Sequence, residues 1–479
     1  MSKRLILVLA LVLAVGIGAA YAEVQNVKVS GDLTIMGTSR MLDPRGSDPD
    51  MADTNEAYGV TERDLISITR LRVDADLTDN VSTTLRLLNE RYWGRENVLN
   101  SSAGINSDIT IDLACVAMKE FLYSPLTLIV GRQELHFGND MIVGDPETNN
   151  ASLTSALGSA TRRDPDLSAR KSFDAIRATL DYDPMVIDLV LAKLRERMLR
   201  ATDDEDLYGI NIAYDMGDEN NSSAELYYFE KLTGRDQLEV SAVLDNDHKN
   251  SDRVQTVGAR FVSEPMENLS TQIEAAYQFG KRVPLTTDLD PEGVAADTDR
   301  GTVDRKAWAI EAAATLGLPK MKYTPTVTAL YAYFSGNHEN NAVDNDLGTW
   351  RGWDPMYENQ AFGHIANALF PQSNAHILGA VVTANIMEDV NLKSEYYNFW
   401  WASKYPEGAT ISTARDTGAA LVMDGKSYAG QELDMTLTYD YTEDVQFGLM
   451  GGLFIPGSSF MKDNDSVMSE IIGSMKVTF

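Results

Sequence analysis

Arginines recur on one face of two neighbouring segments whose residues alternate as they do in β-strands. Arg70 and Arg72 share a face of residues 64–78, and Arg86 lies on the matching face of residues 81–95. A guanidinium keeps its charge at any physiological pH and binds carboxylates through two parallel hydrogen bonds. The row therefore predicts a path for anionic solutes, to which the same alternation adds three arginines: Arg132, Arg177 and Arg260.

The chain's own carboxylates offer a second interpretation of these arginines. Each guanidinium could pair within the protein and stiffen the fold instead of meeting a solute. The acidic residues available for such pairs are Asp74, Asp76, Glu90, Glu134, Glu274, Glu311, Glu432 and Glu470. The sequence alone leaves both interpretations open.

The composition argues against several other kinds of chemistry. The net charge is −30 at pH 7, whereas nucleic-acid binding requires a basic surface. The five histidines form no HExxH motif, and the single cysteine, Cys115, cannot form an internal disulfide. We therefore expect no metal, no cofactor and no enzymatic activity, and a hydrolase is the least favoured alternative.

The N-terminus has the three parts of a secretory signal peptide. Lys3 and Arg4 precede an apolar run over residues 5–20, and Ala20 and Ala22 have the small side chains of a cleavage site. Residues 1–22 are therefore expected to be removed, which leaves 23–479 as one domain. Beyond residue 22 no stretch has the roughly 20 apolar residues of a membrane-spanning helix, so a membrane location would require a β-barrel.

Runs of alternating residues recur eighteen times after residue 22. The connectors alternate between short ones, such as Asp79-Asn80, and long ones, such as 336–374. Short periplasmic turns and long extracellular loops are typical of bacterial outer-membrane barrels. An antiparallel barrel of eighteen strands leaves an aqueous channel, and an even count places both termini at the periplasmic rim. The predicted strands are 27–38, 64–78, 81–95, 108–121, 126–137, 171–182, 185–197, 205–216, 222–233, 252–263, 269–280, 305–316, 322–335, 375–387, 390–402, 428–441, 444–456 and 467–479.

The last predicted strand, 467–479, has a mostly apolar face and a mostly polar one. The apolar face carries Ile471, Met475 and Val477, and the chain ends on Phe479. A terminal phenylalanine on such a strand resembles the signal that the barrel assembly machinery reads in outer-membrane proteins. Aromatic residues near strand ends are expected to form girdles at the membrane interfaces: Tyr92, Trp93, Tyr227, Tyr228, Tyr331, Tyr333, Tyr396, Trp400 and Trp401.

Several motifs resemble those of the alginate export porin family. They are GRQELHFG at 131–138, MIVG at 141–144, KSFDAIR at 171–177, and an ending that combines ELD at 432–434 with FIPG at 454–457. The resemblance implies an eighteen-stranded outer-membrane barrel that passes a polyuronate through an arginine-rich lumen. It also implies that four residues within these motifs line the solute path: Arg132, Glu134, Asp174 and Arg177.

The favoured function is export of an acidic, alginate-like polysaccharide; a general or sugar-acid uptake porin is the alternative. Expected partners are that anionic saccharide, outer-membrane lipid and lipopolysaccharide, the assembly machinery through Phe479, and periplasmic export proteins. The connectors 138–170 and 336–374 are long enough to fold into the barrel mouth. The acidic connectors 245–252 and 281–304 contain carboxylates that suit Ca²⁺, although solvated loops are the favoured interpretation.

Overall fold

A computed structural model describes residues 26–43, 61–94, 109–146, 165–195, 204–234, 251–282, 302–337, 349–412 and 420–479. Within them the chain forms a closed antiparallel β-barrel of eighteen strands, as the alternation predicts. The predicted signal peptide, 1–22, lies outside the described residues.

The barrel strands follow one another around the wall in chain order, and each pairs with the next. The first nine are β1 (Asn26–Met41), β2 (Glu62–Thr78), β3 (Val81–Tyr92), β4 (Thr110–Met118), β5 (Leu126–Glu134), β6 (Ser172–Asp181), β7 (Met185–Arg195), β8 (Glu205–Asp215) and β9 (Ser223–Thr233). The second nine are β10 (Asp252–Met266), β11 (Leu269–Arg282), β12 (Val303–Gly317), β13 (Thr326–Phe334), β14 (Ala375–Met387), β15 (Val390–Trp401), β16 (Tyr428–Asp440), β17 (Val445–Pro456) and β18 (Met468–Thr478).

Alternating side chains give the wall an apolar outside and a polar inside. In β11, Ile273 and Tyr277 are exposed on the outer surface, whereas Glu274 and Gln278 are buried on the inner one. Successive residues of a strand point to opposite faces, so one sequence supplies both surfaces. The outer surface is an apolar band of the kind that faces lipid, with exposed leucines on many strands: Leu71, Leu85, Leu189, Leu226, Leu378, Leu433 and Leu449.

The barrel closes where β18 pairs with β1, from Thr478 opposite Asp32 to Ser469 opposite Met41. One residue further, Gly31 and Phe479 exchange two backbone hydrogen bonds, with N···O distances of 2.8 and 2.9 Å. Glycine is required at this seam because a Cβ on Gly31 would lie 2.6 Å from the backbone carbonyl oxygen of Arg70 and 2.7 Å from the Cζ atom of Phe479. Closure removes the strand edges that an open sheet would expose to lipid.

The predicted strand boundaries agree with the observed ones to within about four residues. One of the larger differences is at the end of the predicted strand 126–137. The observed strand, β5, ends at Glu134, because Leu135 and Phe137 turn into the barrel and are buried there. Strand periodicity continues past the point where the chain leaves the wall.

The predicted aromatic girdle is correct for some residues and wrong for others. Trp93, Tyr331 and Tyr396 are exposed on the outer surface. Tyr227 and Trp401 are buried instead, because they lie on the inward-facing side of β9 and β15 and pack with the apolar cluster inside the barrel.

Helical structure is sparse within the described residues. The one α-helix there, α1 (His364–Leu369), lies in the connector between β13 and β14. No helix among these residues combines the length and apolar content needed to cross a membrane.

Deletion of Phe479 should weaken barrel closure. It removes both seam hydrogen bonds with Gly31, and each is expected to contribute about 0.5–1.5 kcal/mol. The urea midpoint of the compact, heat-sensitive form, measured by electrophoresis after refolding into lipid vesicles, should fall. The matched control is Phe447→Ala, which removes another exposed aromatic from the outer surface without touching the seam. Equal midpoints for the deletion and the unmodified protein would contradict this account.

Candidate functional site

Two segments of the long connectors fold into the barrel and pair with each other. We call residues 135–146 and 353–374 the inward loops. The amide of Tyr357 donates to the Ile142 carbonyl at 3.0 Å, the amide of Gly144 donates to the Tyr357 carbonyl at 2.8 Å, and the amide of Asn359 donates to the Asp140 carbonyl at 2.9 Å. The lumen therefore contains a structured insert, as the length of both connectors suggests.

Apolar side chains hold the inward loops in place. The buried ones are Leu135, Phe137, Met141, Ile142, Val143, Trp353, Met356, Tyr357, Ile365 and Leu369. They pack against aromatic residues of the wall: the ring of Phe137 lies 5.2 Å from that of Phe229, and Phe173 meets Tyr357 edge-on at 6.1 Å. Burial of each large apolar side chain contributes about 1.5–3 kcal/mol, so ten of them form a substantial core.

Carboxylates of the wall receive backbone amides of the first inward loop. The amide of Gly138 donates to Glu225 and that of Asn139 to Glu274, each at 2.8 Å. Glu311 accepts from the side chains of Asn139 at 3.2 Å and Gln360 at 2.8 Å. A buried carboxylate is costly unless donors surround it, so these contacts stabilise both the wall and the loop.

The second inward loop is held in the same way at α1. Both oxygens of Glu432 accept backbone amides, from Ile365 at 2.6 Å and from Ala366 at 2.8 Å. Asp434 accepts the amide of His364 at 3.1 Å. The first amides of a helix have no partner within the helix, and here the wall supplies the acceptors. Glu432 is fully buried by this contact.

Asp354 anchors the second inward loop from the other side. It lies 3.3 Å from Lys231 and 3.8 Å from Arg305, both on the wall. Burial alone would raise the pKa of the Asp354 carboxyl, but the two positive charges outweigh burial and hold that pKa below its ordinary value. Asp354 therefore stays charged and attached to the wall throughout the physiological pH range.

Most of the predicted arginines lie on the inner surface of the wall, and each has an acidic partner. Arg70 lies 2.9 Å from Asp32, Arg72 lies 2.7 Å from Asp74, and Arg177 lies 2.7 Å from Asp188. Two further arginines bridge pairs of carboxylates: Arg86 contacts Asp112 and Glu134, and Arg260 contacts Glu225 and Glu274. Internal pairing, the second interpretation of the sequence, therefore occurs.

Within most of these pairs the guanidinium is the more exposed partner. The exposed fraction is 26% for Arg177 against 5% for Asp188, and 42% for Arg72 against 33% for Asp74. Arg70 follows the same order against Asp32, while the Arg86–Glu134 contact reverses it. Pairing therefore does not hide these cations, because part of each arginine side chain stays accessible on the inner surface.

The structure contradicts the inward position predicted for Arg132 and Asp174. These two residues pair with each other at 2.6 Å, and both lie on the outer surface. In β6, Phe173 is buried inside the barrel, so Asp174 and the exposed Ile176 point outward. Arg132 continues the outward row of β5 to the interface, where a charged side chain reaches water.

Sequence reasoning missed Arg40, which is almost completely buried inside the barrel. Its guanidinium lies 2.8 Å from Glu470 and 2.6 Å from Asp166. The sequence contained one sign of this position, because Arg40 belongs to the inward-facing alternation of β1. Its partner Glu470 is directly opposite in the paired strand β18. Only the closure of the barrel brings these two ends of the chain together.

Metal binding receives no support from the residues that the structure describes. Within them, no group of three or more His, Cys, Asp or Glu side chains could hold an ion. Of the acidic connectors considered for Ca²⁺, Asp252 pairs with Arg305 at 2.7 Å and Asp304 pairs with Lys281. Their other acidic residues, such as Asp288 and Asp290, fall outside the described ranges.

Replacing Gly363 with alanine should loosen the second inward loop. Gly363 has φ of +80°, and a Cβ there would lie 2.5 Å from the Glu432 carboxylate that holds α1. Single-channel recordings in a planar bilayer should show more frequent and larger openings than those of the unmodified channel. Gly408→Ala is the matched control, because Gly408 also has φ of +80° but has no atom within 4 Å of a Cβ position. Identical currents for both variants would show that docking to Glu432 does not close the lumen.

The first inward loop should open more often as pH rises. His136 lies 3.0 Å from Asp140, and this hydrogen bond raises the pKa of His136 above its ordinary value despite partial burial. A raised pKa stabilises the folded loop below about pH 6.5, and this contribution is lost as pH rises through the raised value. Opening frequency should increase across that range, and His136→Gln should remove the increase. If the opening frequency of the variant still increased with pH as in the unmodified channel, another group would be responsible for the pH dependence.

Comparison with known proteins agrees with the barrel. OccK8 (OprE) of Pseudomonas aeruginosa superposes with a TM-score of 0.54 at 10% identity, over 96% of this chain and 100% of that chain. OpdK of the same species, solved with vanillate, gives 0.51 at 9% identity over 94% and 99%. A BenF-like porin from Pseudomonas fluorescens Pf-5 gives 0.52 at 8% identity over 95% and 100%. At such identities the likeness shows the fold alone.

A sequence comparison with curated proteins finds no match. The family model for alginate export, in contrast, matches residues 43–474, which is most of the chain. Together with the porin fold of the structural neighbours, this match makes the protein an outer-membrane channel. The chain belongs to the Alginate export family.

Proposed function

We propose that this channel passes carboxylate-bearing saccharides, and that its substrate is an acidic, alginate-like polysaccharide that is exported. The observation that carries the proposal is the exposure of the arginines within their ion pairs. On the inner surface, the side chains of Arg70, Arg72 and Arg177 are more exposed than those of their carboxylate partners. Guanidinium and carboxylate match in geometry as well as in charge.

The magnitude of the effect is sufficient for selectivity. A unit charge at about 7 Å through water contributes about 0.6 kcal/mol, which changes local ion occupancy about threefold. A paired carboxylate cancels part of this field, more so when it is equally close to the solute. Several arginines acting along one wall therefore favour anions, and a polyuronate with one carboxylate per sugar could contact them in succession.

The inward loops constrain how a polymer could pass. They fill part of the lumen with a packed apolar core, so passage of a chain requires the loops to move aside. Their contacts with Glu432 and Asp434 are hydrogen bonds to backbone amides, which can break without rearranging the wall. We infer that export requires an opening event, driven by the polymer or by a periplasmic partner.

Uptake of small sugar acids is the second candidate function. The packed inward loops favour it, because a narrow lumen suits a small solute better than a polymer. OpdK, a structural neighbour, was solved with vanillate. The two candidates share the arginine wall and differ in the length of the solute.

Block of the channel by oligouronates should separate these candidates and test the arginines. Under the export proposal, block in a planar bilayer should strengthen with oligomer length, whereas an uptake channel should bind monomers and short oligomers equally well. Arg72→Gln should weaken the block about threefold, and Asp74→Asn should strengthen it.

The double variant Arg72→Gln/Asp74→Asn tests whether the Arg72 guanidinium itself contributes to block by oligouronates or whether its charge is cancelled by Asp74. If the guanidinium faces the solute, removal of both charges should still weaken the block. Arg132→Gln is the matched control, because Arg132 forms a comparable ion pair on the outer surface and should leave block unchanged. Equal block by the unmodified channel and by the double variant would refute a role for this arginine.

A further inference from the structure

A cleft of 590 Å³ lies on the outer surface of the barrel, at the long-loop ends of β12 and β13 and beside the end of β15. Trp308 identifies its side of the wall: it is exposed, while its neighbours Ala307 and Ala309 are buried inside. Long loops of outer-membrane barrels face the cell exterior. The cleft therefore opens at the level of the outer leaflet, away from the lumen and from the solute path.

Aromatic rings form the inner surface of the cleft and continue beside it. The ring centroids of Trp308 and Tyr333 lie 4.4 Å apart, and His376 lies 4.6 Å from Tyr333. On the same outer face, Leu378 is 52% exposed and belongs to the apolar band. Tryptophan and tyrosine mark the headgroup level of a membrane protein, so the cleft spans the boundary between headgroups and acyl chains.

Three cations surround this aromatic surface: Lys306, Arg351 and Lys404. All three side chains are exposed, and among the described residues none has a carboxylate within salt-bridge distance. Asp304, two residues before Lys306 on the same face, is paired with Lys281. The lumenal arginines described above, such as Arg72 and Arg177, have acidic partners, so this group of cations differs from them.

Hydrogen bonds fix the backbone that carries two of these cations. The hydroxyl of Ser335 donates to the Arg351 carbonyl at 2.8 Å and accepts the Trp308 amide at 3.0 Å. The side chain of Asn374 accepts the amide of Ser403 at 2.6 Å and donates to its carbonyl at 3.0 Å, next to Lys404. The cations therefore converge on a cleft whose shape is set before a ligand binds.

We propose that this cleft binds the phosphorylated glycolipid of the outer leaflet, lipopolysaccharide, through the phosphates of its lipid A. Phosphate oxygens would pair with Lys306, Arg351 and Lys404, the sugar would lie on Trp308 and Tyr333, and the acyl chains would follow the apolar band. Cations at the headgroup level attract anionic lipid. The site is separate from the lumen. The proposal therefore does not depend on which solute the channel carries.

Native mass spectrometry and thermal unfolding of the purified full-length channel with added lipid A test the proposal. The variant Lys306→Gln/Arg351→Gln/Lys404→Gln should bind lipid A about a hundredfold more weakly, at about fivefold for each cation. The charge-conserving variant Lys306→Arg/Arg351→Lys/Lys404→Arg should retain binding and shows that the site still folds. Lys119→Gln/Lys320→Gln/Lys322→Gln, which removes three exposed lysines at the short-turn rim, should bind as the unmodified protein does.

Two further ligands test which part of lipid A the cleft recognises. Lipid A without its phosphates should bind no better to the unmodified channel than to the glutamine variant. Inorganic phosphate alone should give no thermal stabilisation, since it lacks the acyl chains and the sugar. Unchanged binding by the glutamine variant, equal binding of dephosphorylated lipid A, or equal stabilisation by free phosphate would each overturn the assignment.

Discussion

Every backbone amide and carbonyl of a wall that faces lipid must find its partner inside the protein, and pairing of β18 with β1 satisfies this requirement. The closed ladder then fixes which side chains face inward. A chain with a net charge of −30 cannot place its many carboxylates in lipid, so a large share of them lies on the inner surface. The interior of this barrel is organised by the partners that those carboxylates find.

The carboxylates of the inner wall have two kinds of partner. On β1 to β7, arginines such as Arg72 and Arg177 neutralise neighbouring aspartates, while part of each arginine side chain stays accessible. On β9 to β16, Glu274 and Glu432 accept backbone amides of the inward loops, and Arg260 also contacts Glu274 there. One requirement, to satisfy inward carboxylates, therefore accounts for the partly exposed arginines on which the proposed function rests and for the attachment points of the loops that fill part of the lumen.

The strands could be predicted from the sequence because alternation is local, and the family was recognised from short motifs. The position of Arg132 was predicted wrongly because its charge suggested the polar face, whereas it shares the outward face of β5 with the exposed Val130. The Arg40–Glu470 pair needed the register of the closed barrel. Docking of α1 on Glu432 depends on residues far apart in the chain, and no local pattern encodes such a contact.

The central claim is that the lumen presents more positive than negative charge to a solute, although the chain as a whole is acidic. The reversal potential of the unmodified channel in a planar bilayer, measured across a gradient of potassium chloride, tests it most directly. A potential of the sign set by chloride, and its decrease when a polyuronate is added, would agree with the account. A potential of the sign set by potassium, unaffected by polyuronate, would contradict it.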